Sequence, residues 1–140
     1  MVGKKKVTER YMSYRIFISS AQGDGDLARD LAKRLEKAGL EVLMPAESPG
    51  ENVVAKINSN LRKADEVIVI FTNNSIDSKS LLFEMGAATS LEKQVTPIIQ
   101  GVEPEKLPML IKQMEYVRYS DLERYISKLK QRANVSSEAA

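Results

Sequence analysis

Glu84 is the only ionisable side chain in the twelve residues from Ser80 to Leu91 (SLLFEMGAATSL), a segment whose spacing predicts a helix apolar on nearly every side. A carboxylate that loses its water costs several kcal/mol unless something compensates it, so a glutamate here is a candidate for chemistry. Ser80, four residues earlier, shares its helix face. Two other placements of Glu84 stay open: an acid in an early helical turn, favoured by the helix dipole, or a polar residue of a buried core helix. The 140 residues contain no cysteine and no histidine. Thiol nucleophiles, histidine acid/base pairs, Ser-His-Asp triads and the usual zinc sites are thereby removed, and no metal ligand set is expected. Any catalysis must use carboxylates, hydroxyls, amides and Lys or Arg.

The elements that would position Glu84 alternate between strand and helix. Tyr14 to Ser19 reads as a short apolar strand, and Asp26 to Ala38 as a helix with Leu27, Leu31, Leu35 and Ala38 on one stripe, ended by Gly39. A second strand spans Glu41 to Met44, and Ala46 to Asn52 has the composition of an exposed loop. A helix over about Val53 to Ala64 precedes Val67 to Phe71, a continuously apolar, β-branched run expected of a central parallel strand. After a polar loop, Ser78 or Lys79 opens the helix that holds Glu84. Val95 to Ile99 is a fourth strand despite Pro97, which removes a ladder donor. A short helix over Leu107 to Gln113, a strand over Tyr116 to Tyr119 and a helix over Leu122 to Lys130 complete the pattern.

This alternation predicts an α/β fold: a flavodoxin-like, doubly wound five-stranded parallel sheet in the order 2-1-3-4-5 with helices on both faces. In that order ligands bind outside the carboxyl ends of strands one and three. Ser19 and Ser20 end strand one, Thr72 and Asn73 end strand three, and Glu84 lies about one and a half turns into the next helix, within reach of the same crevice. Misplaced charge and topology thus point to one place.

At 43% hydrophobic and 29% charged residues, one soluble domain is expected, with tails over residues 1–12 and 133–140 flanking a core of 13–132. The net charge of +2 argues against nucleic-acid wrapping. The longest apolar run is far too short to span a membrane, and a signal-peptide core is absent, so a cytoplasmic setting is the default expectation. The segment Ser20-Ala-Gln-Gly-Asp-Gly-Asp26 reads either as a phosphate-cradling loop or as a turn in which Asp24 or Asp26 caps the following helix. A receiver-domain pattern fails at Ser19 and Ser20, where paired acids are needed, and at Gln100, where a lysine is needed. A flavodoxin's aromatic ring-binding loops are missing in a chain without tryptophan.

FISS (Phe17 to Ser20), LAKRLEKAGLEVLMP (Leu31 to Pro45), SPGENV (Ser48 to Val53), ADEVIVIFTNNSIDS (Ala64 to Ser78), LLFEMGAA (Leu81 to Ala88) and VTPII (Val95 to Ile99), in this order, resemble a bacterial or archaeal Toll/interleukin receptor (TIR) domain over nearly the whole chain. The resemblance implies that Glu84 is the essential glutamate of enzymes that cleave NAD+ at the nicotinamide glycosidic bond, with NAD+ as substrate and no cofactor. It further implies that Ser19, Ser20, Ala21, Thr72, Asn73, Ser78 and Ser80 line the nucleotide cleft. The loop Ala46, Glu47, Ser48, Pro49, Gly50, Glu51 and Asn52 corresponds to the one that mediates TIR–TIR assembly. Ser80 stands where the family often has a tryptophan. Implied partners are other TIR domains and a separate sensor or effector protein, in prokaryotic defence or signalling.

Nicotinamide leaves NAD+ as a neutral ring, so no general acid is required, which suits a chain without histidine. Two other readings accompany this one. LLFEMGAA also resembles the glutamate segment of nucleoside deoxyribosyltransferases, and a non-catalytic TIR–TIR interaction module would need no chemistry from Glu84.

Overall fold

The computed structural model describes residues 14–44 and 60–139. Five parallel strands form one sheet in the order β2-β1-β3-β4-β5: β1 (Arg15–Ser19), β2 (Glu41–Leu43), β3 (Glu66–Thr72), β4 (Gln94–Gln100) and β5 (Val117–Arg118). The expected architecture and strand order are both present. Four helices are α1 (Gly25–Lys37), α2 (Lys79–Ser90), α3 (Met109–Lys112) and α4 (Leu122–Ala139), and residues 60–63 are also helical.

Side chains alternate across each strand, dividing the core into two layers. On one face Phe17, Val67, Val69, Phe71, Val95 and Ile99 pack against Leu81, Met85 and Ala88 of α2, Ile111 of α3 and Leu61. On the other, Ile16, Ile18, Ile68, Ile70 and Ile98 pack against Leu31 and Leu35 of α1 and Leu122, Ile126 and Leu129 of α4. Central β3 is buried on both faces, which explains its unbroken apolar run.

α1 ends at Gly39, whose φ of +91° lets the Gly39 amide donate to Glu36 (3.0 Å) and the Leu40 amide to Leu35 (3.1 Å). α2 closes in the same way, but the residue in the left-handed position is Glu92, at φ +60°. Its amide donates to Thr89 (3.0 Å), and that of Lys93 donates to Ala88 (3.1 Å). Pro97 is absorbed by the shortness of β5, whose pairing begins opposite Ile98. At Pro97, therefore, no ladder on that side of β4 is lost.

The last helix corrects its expected length: α4 continues past Lys130 to Ala139, so residues 133–139, expected as a tail, are helical, and Ala133 is buried. The N-terminal tail over residues 1–12, the loop Ala46 to Asn52 and most of the helix expected from Val53 lie outside the described residues.

Candidate functional site

α2 begins at Ser78, whose hydroxyl accepts from the Leu81 amide (3.3 Å) as a helix cap. From this start the chain turns Leu81, Glu84, Met85 and Ala88 inward at helical spacing, so Glu84 lies on the buried stripe and is only 8% exposed. Its Oε2 has no hydrogen-bond partner among the described residues. Burial without compensation pushes the Glu84 carboxyl up from 4.5 to about 7.

A second buried glutamate shows what compensation looks like. Glu66, at the amino end of β3 and 1% exposed, receives Nε and one terminal nitrogen of Arg132 (2.8 and 2.7 Å) and the Tyr14 hydroxyl (2.7 Å). Arg132 is held above its usual pKa by that hydrogen bond, and burial together with the bond to Glu66 raises the Tyr14 hydroxyl. Glu66 is fully committed to structure, whereas Glu84 retains an unused acceptor.

At the carboxyl ends of the strands three loops are tied together. The Thr72 hydroxyl donates to both carboxylate oxygens of buried Asp24 (2.9 and 3.1 Å), joining the loop after β3 to the start of α1. Gly23 lies against the Asn74 side-chain amide, whose Nδ2 would crowd a Cβ at that position. Asn73 donates through Nδ2 to the Gly101 carbonyl (2.7 Å), bringing in the loop after β4. Within the β3 loop, Ser75 accepts from the Thr72 amide (3.0 Å), and the Thr72 hydroxyl from that of Asn74 (3.1 Å).

The residues expected to line one cleft are therefore divided. Ser19, 1% exposed, lies two residues from Phe17 in β1 and so points to the same sheet face, the one that carries α2 and Glu84. Ala21 packs against that same core layer, and Ser20 is half-buried beside it. Thr72 differs by one residue in parity from Phe71 and faces the α1 side, where Asp24 occupies its hydroxyl. Ser78 is engaged as a cap, Asn73 as a loop tie. Ser80 is exposed, about 40° round the helix from Glu84 and just outside the buried stripe.

Asp24 does not cap α1 through its side chain, as the loop motif allowed, and Asp26 pairs with Arg29 instead. The Asp24–Thr72 tie and the Glu66–Arg132–Tyr14 cluster are both unanticipated. Glu66 directly before an apolar strand was the one visible signal of the latter. Two cavities, of about 310 and 330 Å³, lie at the carboxyl end of β4 and along the outer edge of β5, and Glu84 lines neither. Among the described residues no acidic cluster could hold a metal ion, and no helix is long and apolar enough to cross a membrane.

A family model described as the TIR domain matches residues 16–132. This chain belongs to the TIR domain family. The TIR domain of the Toll-related receptor TRR-2 from Hydra magnipapillata is similar in structure, with a TM-score of 0.69 at 20% identity over 87% of this chain and 99% of that one. A prokaryotic SEFIR domain gives 0.63 at 22% identity, over 85% and 97%. The TIR domains of the activated Roq1 resistosome, which recognises the pathogen effector XopQ, give 0.56 at 18%, over 88% and 85%. No curated protein sequence matches the chain. These likenesses fix the TIR fold, and within it Glu84 stands on the helix that follows the central strand.

Proposed function

We propose that this TIR domain is an NAD+ nucleosidase that breaks the nicotinamide glycosidic bond, with Glu84 as its catalytic carboxylate. The observation that carries the reading is the contrast between the two buried glutamates: Glu66 is matched by a guanidinium, whereas Glu84 keeps one oxygen without a partner among the described residues. A cationic substrate is the natural complement to an uncompensated carboxyl. The positive nicotinamide ring would draw the Glu84 proton off, and the resulting carboxylate would then stabilise the charge that develops on the ribose C1′. Nicotinamide departs with the electron pair of the C1′–N bond and needs no proton. Water adds at C1′ and loses its proton to solvent, giving ADP-ribose, or a ring atom of the same molecule closes to a cyclic isomer.

Ser19, on the same sheet face, and Ser20 and Ala21 beside it are the loop residues best placed to border the substrate. Thr72, Asn73 and Ser78 act through the rigidity of the rim. Activity is expected on assembly with other TIR domains, in a cytoplasmic defence or signalling role, through the loop Ala46 to Asn52 together with α2 and its neighbours. A sensor or effector protein would supply the trigger.

The test is incubation with NAD+ at high protein concentration and measurement of free nicotinamide. Glu84→Gln should lower the rate by about 10²–10³, the loss that follows removal of a preorganised electrostatic group. Full activity in that variant would sink the mechanism. No nicotinamide release from the parent chain at any concentration would favour the interaction module, for which the exposed Phe83 (58%), Met109 (69%) and Leu110 (48%) are the supporting observation.

A further inference from the structure

α4 meets the open edge of the sheet at β5, on the side of the molecule covered by α1 and α4 rather than by α2. Between them lies the cleft of about 330 Å³ lined by Tyr116, Val117, Arg118, Asp121, Arg124, Tyr125 and Lys128. Three cations and one acid line it. Arg124 and Lys128 are i,i+4 neighbours on α4, a like-charged spacing that disfavours the helix. Arg118, Arg124 and Lys128 take part in no ion pair among the described residues, unlike Arg15, Arg29, Arg34 and Arg132.

The floor is of a different kind. Tyr125 is 5% exposed, and its hydroxyl has no hydrogen-bond partner among the described residues. Half-buried Val117 packs in the same layer as Tyr125, over whose ring Arg132 lies (6.0 Å), while Tyr116 packs against the layer on the α2 side. Among the described residues β5 has a sheet neighbour only on the β4 side, so the main-chain groups of its outer edge have no ladder partner. Arg118 also lines the cavity of about 310 Å³ at the carboxyl end of β4, so this one residue borders both cavities. An unpaired guanidinium at such a junction is suited to a forked contact with phosphate oxygens. The volume is at the small end of the range for small-molecule sites.

We infer that this cleft is a second ligand site, separate from Glu84, which takes a small phosphate-bearing molecule of nucleoside mono- or diphosphate size. The phosphate is held by Arg118, Arg124 and Lys128, and the rest of the molecule lies along the edge of β5 beside Val117. The inference does not rest on NAD+ cleavage, because binding can be measured with no turnover at all.

The experiment is calorimetric titration of the full chain with ADP and with adenosine, backed by a thermal melt of each variant. Saturable ADP binding is expected, at least about tenfold tighter than adenosine, because hydrogen bonds to charged groups carry discrimination of that order. The double variant Arg124→Glu/Lys128→Glu, and its milder form Arg124→Gln/Lys128→Gln, should weaken ADP at least about tenfold while melting like the parent. Absence of saturable ADP binding would overturn the proposal. So would ADP binding that survives both double variants, which would place the nucleotide elsewhere. Affinity for a single-stranded oligonucleotide that exceeds that for ADP and grows with length would also overturn it, since the cations would then serve a polymer.

Discussion

A carboxyl raised to about 7 in the folded chain and near 4.5 when unfolded leaves a signature in stability. Between these values the unfolded state has released the Glu84 proton and the folded state has kept it, so stability falls as pH rises from about 4.5 to 7 and then levels off. The loss amounts to at most about 3–4 kcal/mol above pH 7, because each pH unit between the two values is worth roughly 1.4 kcal/mol. Glu84→Gln cannot ionise, so thermal melts between pH 5 and 8 should show a flatter profile for the variant and a gain over the parent at pH 8. A variant that melts with the parental pH slope would show that Glu84 is not the group responsible. Activity should run the other way: the carboxylate form is the working one, so kcat/KM should rise with pH through about 7. One unpaired side chain would thus be stabilising to remove and costly to lose, the usual sign of a residue kept for function.

At the scale of elements, α2 carries a removable strain. Glu92 holds φ +60°, a conformation that costs a residue with a Cβ about 1–2 kcal/mol, whereas glycine adopts it freely. Glu92→Gly should stabilise the domain by about 1 kcal/mol and raise Tm by roughly 3 °C, read by calorimetry. An unchanged or lower Tm would mean that Glu92 contributes something the cap geometry does not reveal. The equivalent cap of α1 was legible in sequence because glycine occupies it; a glutamate in that position gives no such signal. The same unevenness runs through the site. That Glu84 would be buried could be read from its apolar surroundings, and strand order from the alternation of elements. The direction of Thr72 could not, because a strand buried on both faces has no polar side by which to count parity. Its partner Asp24, 48 residues away in sequence, is brought alongside only by the β1–β3 pairing. The extension of α4 past Lys130 leaves little trace in the sequence because its last turns are small and polar, with Ala133 the buried residue among them.

For the whole molecule, the face covered by α2 and α3 leaves Phe83, Met109 and Leu110 in solvent, the three most exposed large apolar side chains among the described residues. Burying such residues against another copy is worth on the order of 1–3 kcal/mol each. Phe83→Asp should therefore weaken self-association in sedimentation velocity experiments and reduce NAD+ cleavage at concentrations where the parent assembles, with little change in Tm. If the variant still sediments like the parent, assembly uses another surface. At the opposite end of the strands, the clamp on Glu66 has a mechanical meaning. Tyr14 and Arg132 grip one carboxylate although 117 residues of chain lie between them. The paths into β1 and along the last helix thus meet at a single point, on the side away from the ligand rim. A pull applied between the chain entering β1 and the later turns of α4 would load this three-residue fastening before it loaded the sheet.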